Sequence, residues 1–106
     1  DVDIHKTDMN PFPATRLDMN DPWLSFVKKS LESSTNLKID LLPNLGGSLP
    51  NDCFAEVLNL PTIWIPHSYA GCSQHSPNEH LPIAIARQAL LCMTSLFADL
   101  SASEKV

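Results

Sequence analysis

The chain is poor in the residues that build most specialised scaffolds. Three glycines and three cysteines in 106 residues leave neither a glycine-rich repeat nor a disulfide framework to read. Cys53, Cys72 and Cys92 are odd in number and lack framework spacing, which points to a reducing compartment, with the cytoplasm as the default. Basic residues are few, seven Lys and Arg against twelve Asp and Glu for a formal net charge of −5. No basic cluster exceeds Lys28-Lys29; phosphate backbones need a basic stripe, so nucleic acid is not an expected partner. No apolar run suggests a bilayer span and no signal peptide is visible, so no membrane partner is expected either. Internal repeats and low-complexity tracts are also lacking.

What is present fits a small soluble globular class, with an apolar fraction of 43%. The chain opens on Asp1 with little apolar periodicity up to Arg16, which reads as a cut through a longer polypeptide. Residues 1–20 are expected to be a strand end and an extended linker stiffened by Pro11 and Pro13. Asp21-Pro22 is a strong helix start: Asp caps free amides and Pro suits the first helical position. Trp23, Phe26, Val27, Ser30 and Leu31 then share one face, which predicts a helix from about Asp21 to Ser34.

Leu37, Ile39 and Leu41 alternate with Lys38 and Asp40, the pattern of a strand with one buried face ending at Pro43. After Gly46-Gly47-Ser48-Leu49-Pro50, Phe54, Val57 and Leu58 suggest a short helix that Pro61 terminates. Thr62-Ile63-Trp64-Ile65, between two prolines, reads as a buried strand. A loop from Pro66 to Asn78 leads to a last helix near Leu81-Pro82, with Ile83, Ala86, Leu90, Met93, Phe97 and Leu100 on its expected core face and a polar tail over 101–106. Helix, strand, helix, strand, helix predicts α/β architecture with a parallel sheet, and Trp23 and Trp64 are expected to pack helix against sheet. Two strands are too few for a sheet that stands alone, so further strands are expected from upstream.

The richest local constellation is Gln74-His75-Ser76-Pro77-Asn78-Glu79-His80. A histidine held by a turn and backed by a helix can keep a ring nitrogen where a divalent cation needs it, although a hydrogen-bonded turn histidine has the same spacing. Glu79 is placed to orient the imidazole or to cap the following helix, with Asn78 beside it in the turn. Gly46, Gly47 and Ser48 form a turn whose amides and hydroxyl suit a carboxylate or phosphate, as they also suit an ordinary strand-to-helix connection. Cys72 with His67, His75 and His80 could alternatively form a closed structural zinc site. A Cys72 and His75 catalytic pair lacks a third, orienting group. His5 in the leader reads as a solvent-exposed side chain.

Taken together, Asn44-Leu45-Gly46-Gly47-Ser48-Leu49-Pro50, Leu60-Pro61-Thr62-Ile63 and His75-Ser76-Pro77-Asn78-Glu79 resemble the carboxyl-terminal part of the co-catalytic zinc aminoacylase/carboxypeptidase family. That family includes acetylornithine deacetylase, succinyl-diaminopimelate desuccinylase, carnosinase and glutamate carboxypeptidases. The resemblance covers about Trp23 to Leu100. It implies an incomplete three-layer α/β/α sandwich, in which residues 1–20 leave a lid domain and 21–100 are the returning portion of the catalytic domain.

The resemblance further implies two divalent metal ions, zinc first among them, with His75 as the last ligand in chain order. Gly46, Gly47 and Ser48 would then lie beside a small peptide or N-acyl amino acid substrate, and a homodimer would form through the lid. The family's H-x-D motif, its E-E pair and the general base that pair supplies have no counterpart here. The isolated chain is therefore expected to be inactive, the whole protein being an amidohydrolase or peptidase. The competing reading is a non-catalytic interaction module, with or without the closed zinc site. Asn44-Leu45 stands where relatives often place a charged residue, and His80 falls at a position that varies among them, so neither carries a family role.

Overall fold

The computed structural model describes residues 2–3, 13–47 and 49–103. Its architecture is mostly α. Two helices, α1 (Pro22–Thr35) and α2 (Ile83–Ala102), pack on one another and hold the core. Between them run two long irregular segments, a single π-helical turn at Cys53–Val57 and a 3-10 turn at Ala70–Cys72.

The start of α1 follows its sequence signals. Asp21 sits in extended backbone and its side chain accepts from the Trp23 amide at 2.9 Å, with Pro22 opening the first turn. Asn36 ends the helix in the left-handed region at φ 56°, its amide donating to the Glu32 carbonyl at 2.9 Å. Val27, Ser30 and Leu31 are buried on the predicted face. Trp23 does not pack against a sheet; its ring meets Phe26 edge to face with centroids 5.9 Å apart.

The α/β expectation is overturned: among the described residues there is no strand and no sheet. Residues 38–42 and 61–68 carry no regular secondary structure and form no ladder. The alternation at Leu37, Ile39 and Leu41 is not matched by alternating burial, since only Ile39 reaches the core. Ile39, Ile63 and Ile65 lean on the helical core through their side chains, while Leu37 and Leu41 stay exposed. The Ile39 amide donates to the Glu32 carboxylate at 3.1 Å, where a strand would have donated to a neighbour. Pro61 and Pro66 flank the second segment and offer no amide to a ladder. The strand end expected within residues 1–20 is not found among the described residues of that stretch, and residues 1 and 4–12 lie outside them.

The inner face of α2 also differs from expectation. Cys92 and Leu96 are buried, with Met93 and Leu100 packed partly against the core. Ile83, Leu90 and Phe97, expected inside, are 71%, 70% and 66% exposed. This helix is apolar nearly all round, so two stripes compete and α1 covers the one that includes Cys92 and Leu96. By length and composition α2 is also the one described helix able to cross a membrane, which the sequence reading had not anticipated.

The core is small. Val27, Leu31, Cys92 and Leu96 form its buried centre. Ser30 lies on the packed face of α1 at 4% exposure, and its hydroxyl has no hydrogen-bond partner among the described residues. An unsatisfied buried hydroxyl costs roughly 1–3 kcal/mol, and alanine is the better helix former. Ser30→Ala is therefore expected to stabilise the chain by about 1 kcal/mol, read as a higher denaturation midpoint in urea; a lower midpoint would show that the hydroxyl is satisfied.

Candidate functional site

The histidine loop is built on a web of short-range hydrogen bonds. The Cys72 amide donates to the Tyr69 carbonyl at 2.9 Å, the Ser76 amide to Ser73 at 2.9 Å, the Glu79 amide to Ser76 at 3.2 Å, and the His80 amide returns to the Cys72 carbonyl at 3.0 Å. These close the segment from Cys72 to His80 into a ring of turns. Cys72, 2% exposed, is its buried anchor, and its thiol is free.

Within this ring Ser73, His75 and Asn78 all adopt left-handed backbone, at φ 55°, 61° and 65°. Such conformations cost on the order of 1 kcal/mol each for residues with a Cβ, least for Asn. The turns hold them, and they aim the His75 side chain into solvent: His75 is exposed. Its amide donates to the Glu79 Oε2 at 3.3 Å. Glu79 thus braces the turn through the His75 backbone, and α2 begins at Pro82 without a side-chain cap. The Asn78 carbonyl lies 2.8 Å from the His80 Nδ1. A carbonyl only accepts, so Nδ1 is the donor in this contact. The sequence offered His80 only as a ligand of a closed zinc site; this anchoring depends on Asn78 turning its carbonyl back, which no spacing rule announces.

The glycine turn lies elsewhere, on a broad cleft of about 1220 Å3. Gly47 lines the cleft with φ 156°, beyond the comfortable range of other residues, and its missing Cβ would stand 3.8 Å from the Trp64 ring. Gly46 has open space around it, and Ser48 lies outside the described residues, as does His5. Trp64 packs beside the glycine turn and not against a sheet. Its indole donates to the Asn51 Oδ1 at 3.3 Å, while the Asn51 Nδ2 donates to the Thr15 hydroxyl at 2.6 Å. Asn51 therefore ties three distant segments together across the cleft. This tie was invisible in sequence because Pro50-Asn51 signals only a turn.

The cleft is wider than the roughly 300–1,000 Å3 of a fitted small-molecule pocket. Arg16, Lys28 and Lys38 line it together with Asp21, Asp40 and Glu56, so its charges balance. His75 does not line it. His67 lines a separate pocket of about 170 Å3 between Leu31, Ile39, Ile65 and Cys92. The candidate metal ligand and the candidate anion turn thus occupy different surfaces of the described chain.

Gly71 serves the histidine loop sterically: a Cβ there would run into the Tyr69 ring, with Cζ at 2.9 Å. Among the described residues no three His, Cys, Asp or Glu side chains stand together in a way that could hold a metal. Cys72 turns inward, while His75 and His80 are exposed on the other side of the same ring of turns.

Comparison with family models, with curated proteins and with solved structures finds no match. The reading of function therefore stands on motif and loop geometry alone.

Proposed function

We propose that this chain contributes one metal ligand, His75, to a metal-dependent amidohydrolase or peptidase acting on an N-acyl amino acid, dipeptide or related amide. One observation carries the reading. The loop stores left-handed backbone at three non-glycine residues and spends a web of hydrogen bonds to present an exposed imidazole. Strain held in this way is a mark of functional loops. The H-S-P-N-E segment's resemblance to the zinc aminoacylase/carboxypeptidase family supplies the chemistry. The fold lends no support, since the described chain is helical.

The residues present fit a partial role. His75 offers one exposed imidazole, and Glu79 fixes its backbone from 3.3 Å away. A hydrolytic centre needs about three protein ligands and an open position, so the remaining donors and the general base come from other residues. When bound, the metal supplies Lewis acidity toward the amide carbonyl and an acidified water. This chain's own part is to hold the imidazole in place. Gly47, beside Asn51 and Trp64, offers an unhindered backbone edge to a substrate carboxylate.

Zinc titration by calorimetry, run on this chain beside His75→Ala and Cys72→Ser, tests the assignment. Weak binding at one site, lost in His75→Ala and kept in Cys72→Ser, is the expected result. Tight one-to-one binding lost in both variants would instead establish a closed structural site and remove the hydrolase reading.

A further inference from the structure

The outer face of α2 is the largest feature that the proposed function leaves unused. Ile83, Leu90, Leu91 and Phe97 are 71%, 70%, 52% and 66% exposed, while the opposite face is occupied by α1. At 100° per residue, Ala84, Arg87, Thr94 and Ala98 complete this stripe, and Arg87 is its only charge.

The order of side chains along the stripe is self-complementary. Running a second copy antiparallel, with a twofold axis between Leu90 and Leu91, sets large against small at every step outside the central leucine pair. Ile83 meets Ala98 of the partner subunit, Ala84 meets Phe97 of the partner subunit, and Arg87 meets Thr94 of the partner subunit. Leu90 and Leu91 close the centre. Alternating large and small side chains are what two close helices need to interdigitate, and a twofold repeats each pairing. The pairing also keeps the two Arg87 side chains apart. The four large apolar side chains expose roughly 500 Å2 per copy, so a pair that covers them fully, with the small side chains between them, reaches the roughly 1,000 Å2 that a specific interface must clear.

We propose that this face is an antiparallel homodimer seam in the register Leu90 to Leu91. It is independent of the metal reading: the seam can fail while His75 binds zinc, and the reverse.

Sedimentation equilibrium of the chain with Leu90→Asp, Thr94→Glu and Thr94→Lys tests it, with circular dichroism confirming helix content. Both sites are exposed, so the fold of each copy should persist. The native chain is expected to dimerise reversibly, and Leu90→Asp to weaken the dimer at least about tenfold. In the proposed register residue 94 faces Arg87 of the partner subunit. Thr94→Glu should therefore tighten the dimer by about fivefold at low salt, and Thr94→Lys should loosen it by a similar factor. A chain that stays monomeric, or a dimer that responds alike to both charges, would overturn the seam. So would transfer of the native chain onto phosphatidylcholine vesicles, which would assign the face to lipid, consistent with the length and hydropathy of α2.

Discussion

Leu31→Ala is expected to abolish cooperative unfolding of this chain. Leu31 is 6% exposed at the centre of a buried cluster that, among the described residues, otherwise contains only Val27, Cys92 and Leu96. Truncating a buried leucine costs about 2–5 kcal/mol, from lost transfer free energy and from the cavity left behind. A compact domain of this length has on the order of 5–15 kcal/mol in total, and so small a buried cluster places this chain at the bottom of that range. The variant should lose most of its ellipticity at 222 nm or melt without a transition. Leu90→Ala on the same helical pair, at a side chain 70% exposed, should leave monomer helix content unchanged. Equal losses at both positions would show that the α1 and α2 contact is not what holds the fold.

The second large effect is catalytic. In a polypeptide that joins this chain to the remaining ligands, His75→Ala is expected to lower kcat/KM by about a thousandfold or more, because an absent ligand removes metal occupancy and metal-borne acidity together. Glu79→Gln, which keeps an oxygen able to accept from the His75 amide, should cost about tenfold or less. Added zinc should recover part of the first loss and little of the second. A His75→Ala enzyme with native kcat/KM would remove His75 from the metal site, whatever the zinc affinity of the isolated chain.

Several local features were legible before any coordinates. Asp21-Pro22 announced a capped helix because capping is an interaction between adjacent residues. Trp23 to Leu31 announced its buried face, since a 3.6-residue period survives whatever the helix packs against. The turn character of Gln74 to Glu79 was equally clear, because Pro77-Asn78 has few other uses. That His75 would project from it followed, but the brace from Glu79 to the His75 amide did not, since a carboxylate four residues away suits a helix cap just as well.

The errors share a cause. Alternation at Leu37, Ile39 and Leu41 and the apolar run at Ile63 to Ile65 marked apolar side chains without saying which of them reach a core, as Ile39, Ile63 and Ile65 do and Leu37 and Leu41 do not, or what accepts the backbone hydrogen bonds. The Glu32 carboxylate took the Ile39 amide, and among the described residues no sheet formed. On α2 the pattern was apolar on both faces, so choosing the stripe through Ile83, Leu90 and Phe97 over the one through Cys92 and Leu96 needed to know where α1 lies.

Helix positions, caps, turns and the exposed histidine were thus written in neighbouring residues, because their energetics close within a few positions of the chain. The absence of a sheet among the described residues, the inner face of α2, the Thr15–Asn51–Trp64 tie and the separation of His75 from the glycine cleft depended on contacts between residues far apart in sequence. Such contacts are set by which apolar surfaces meet first and best, and no local period encodes that competition.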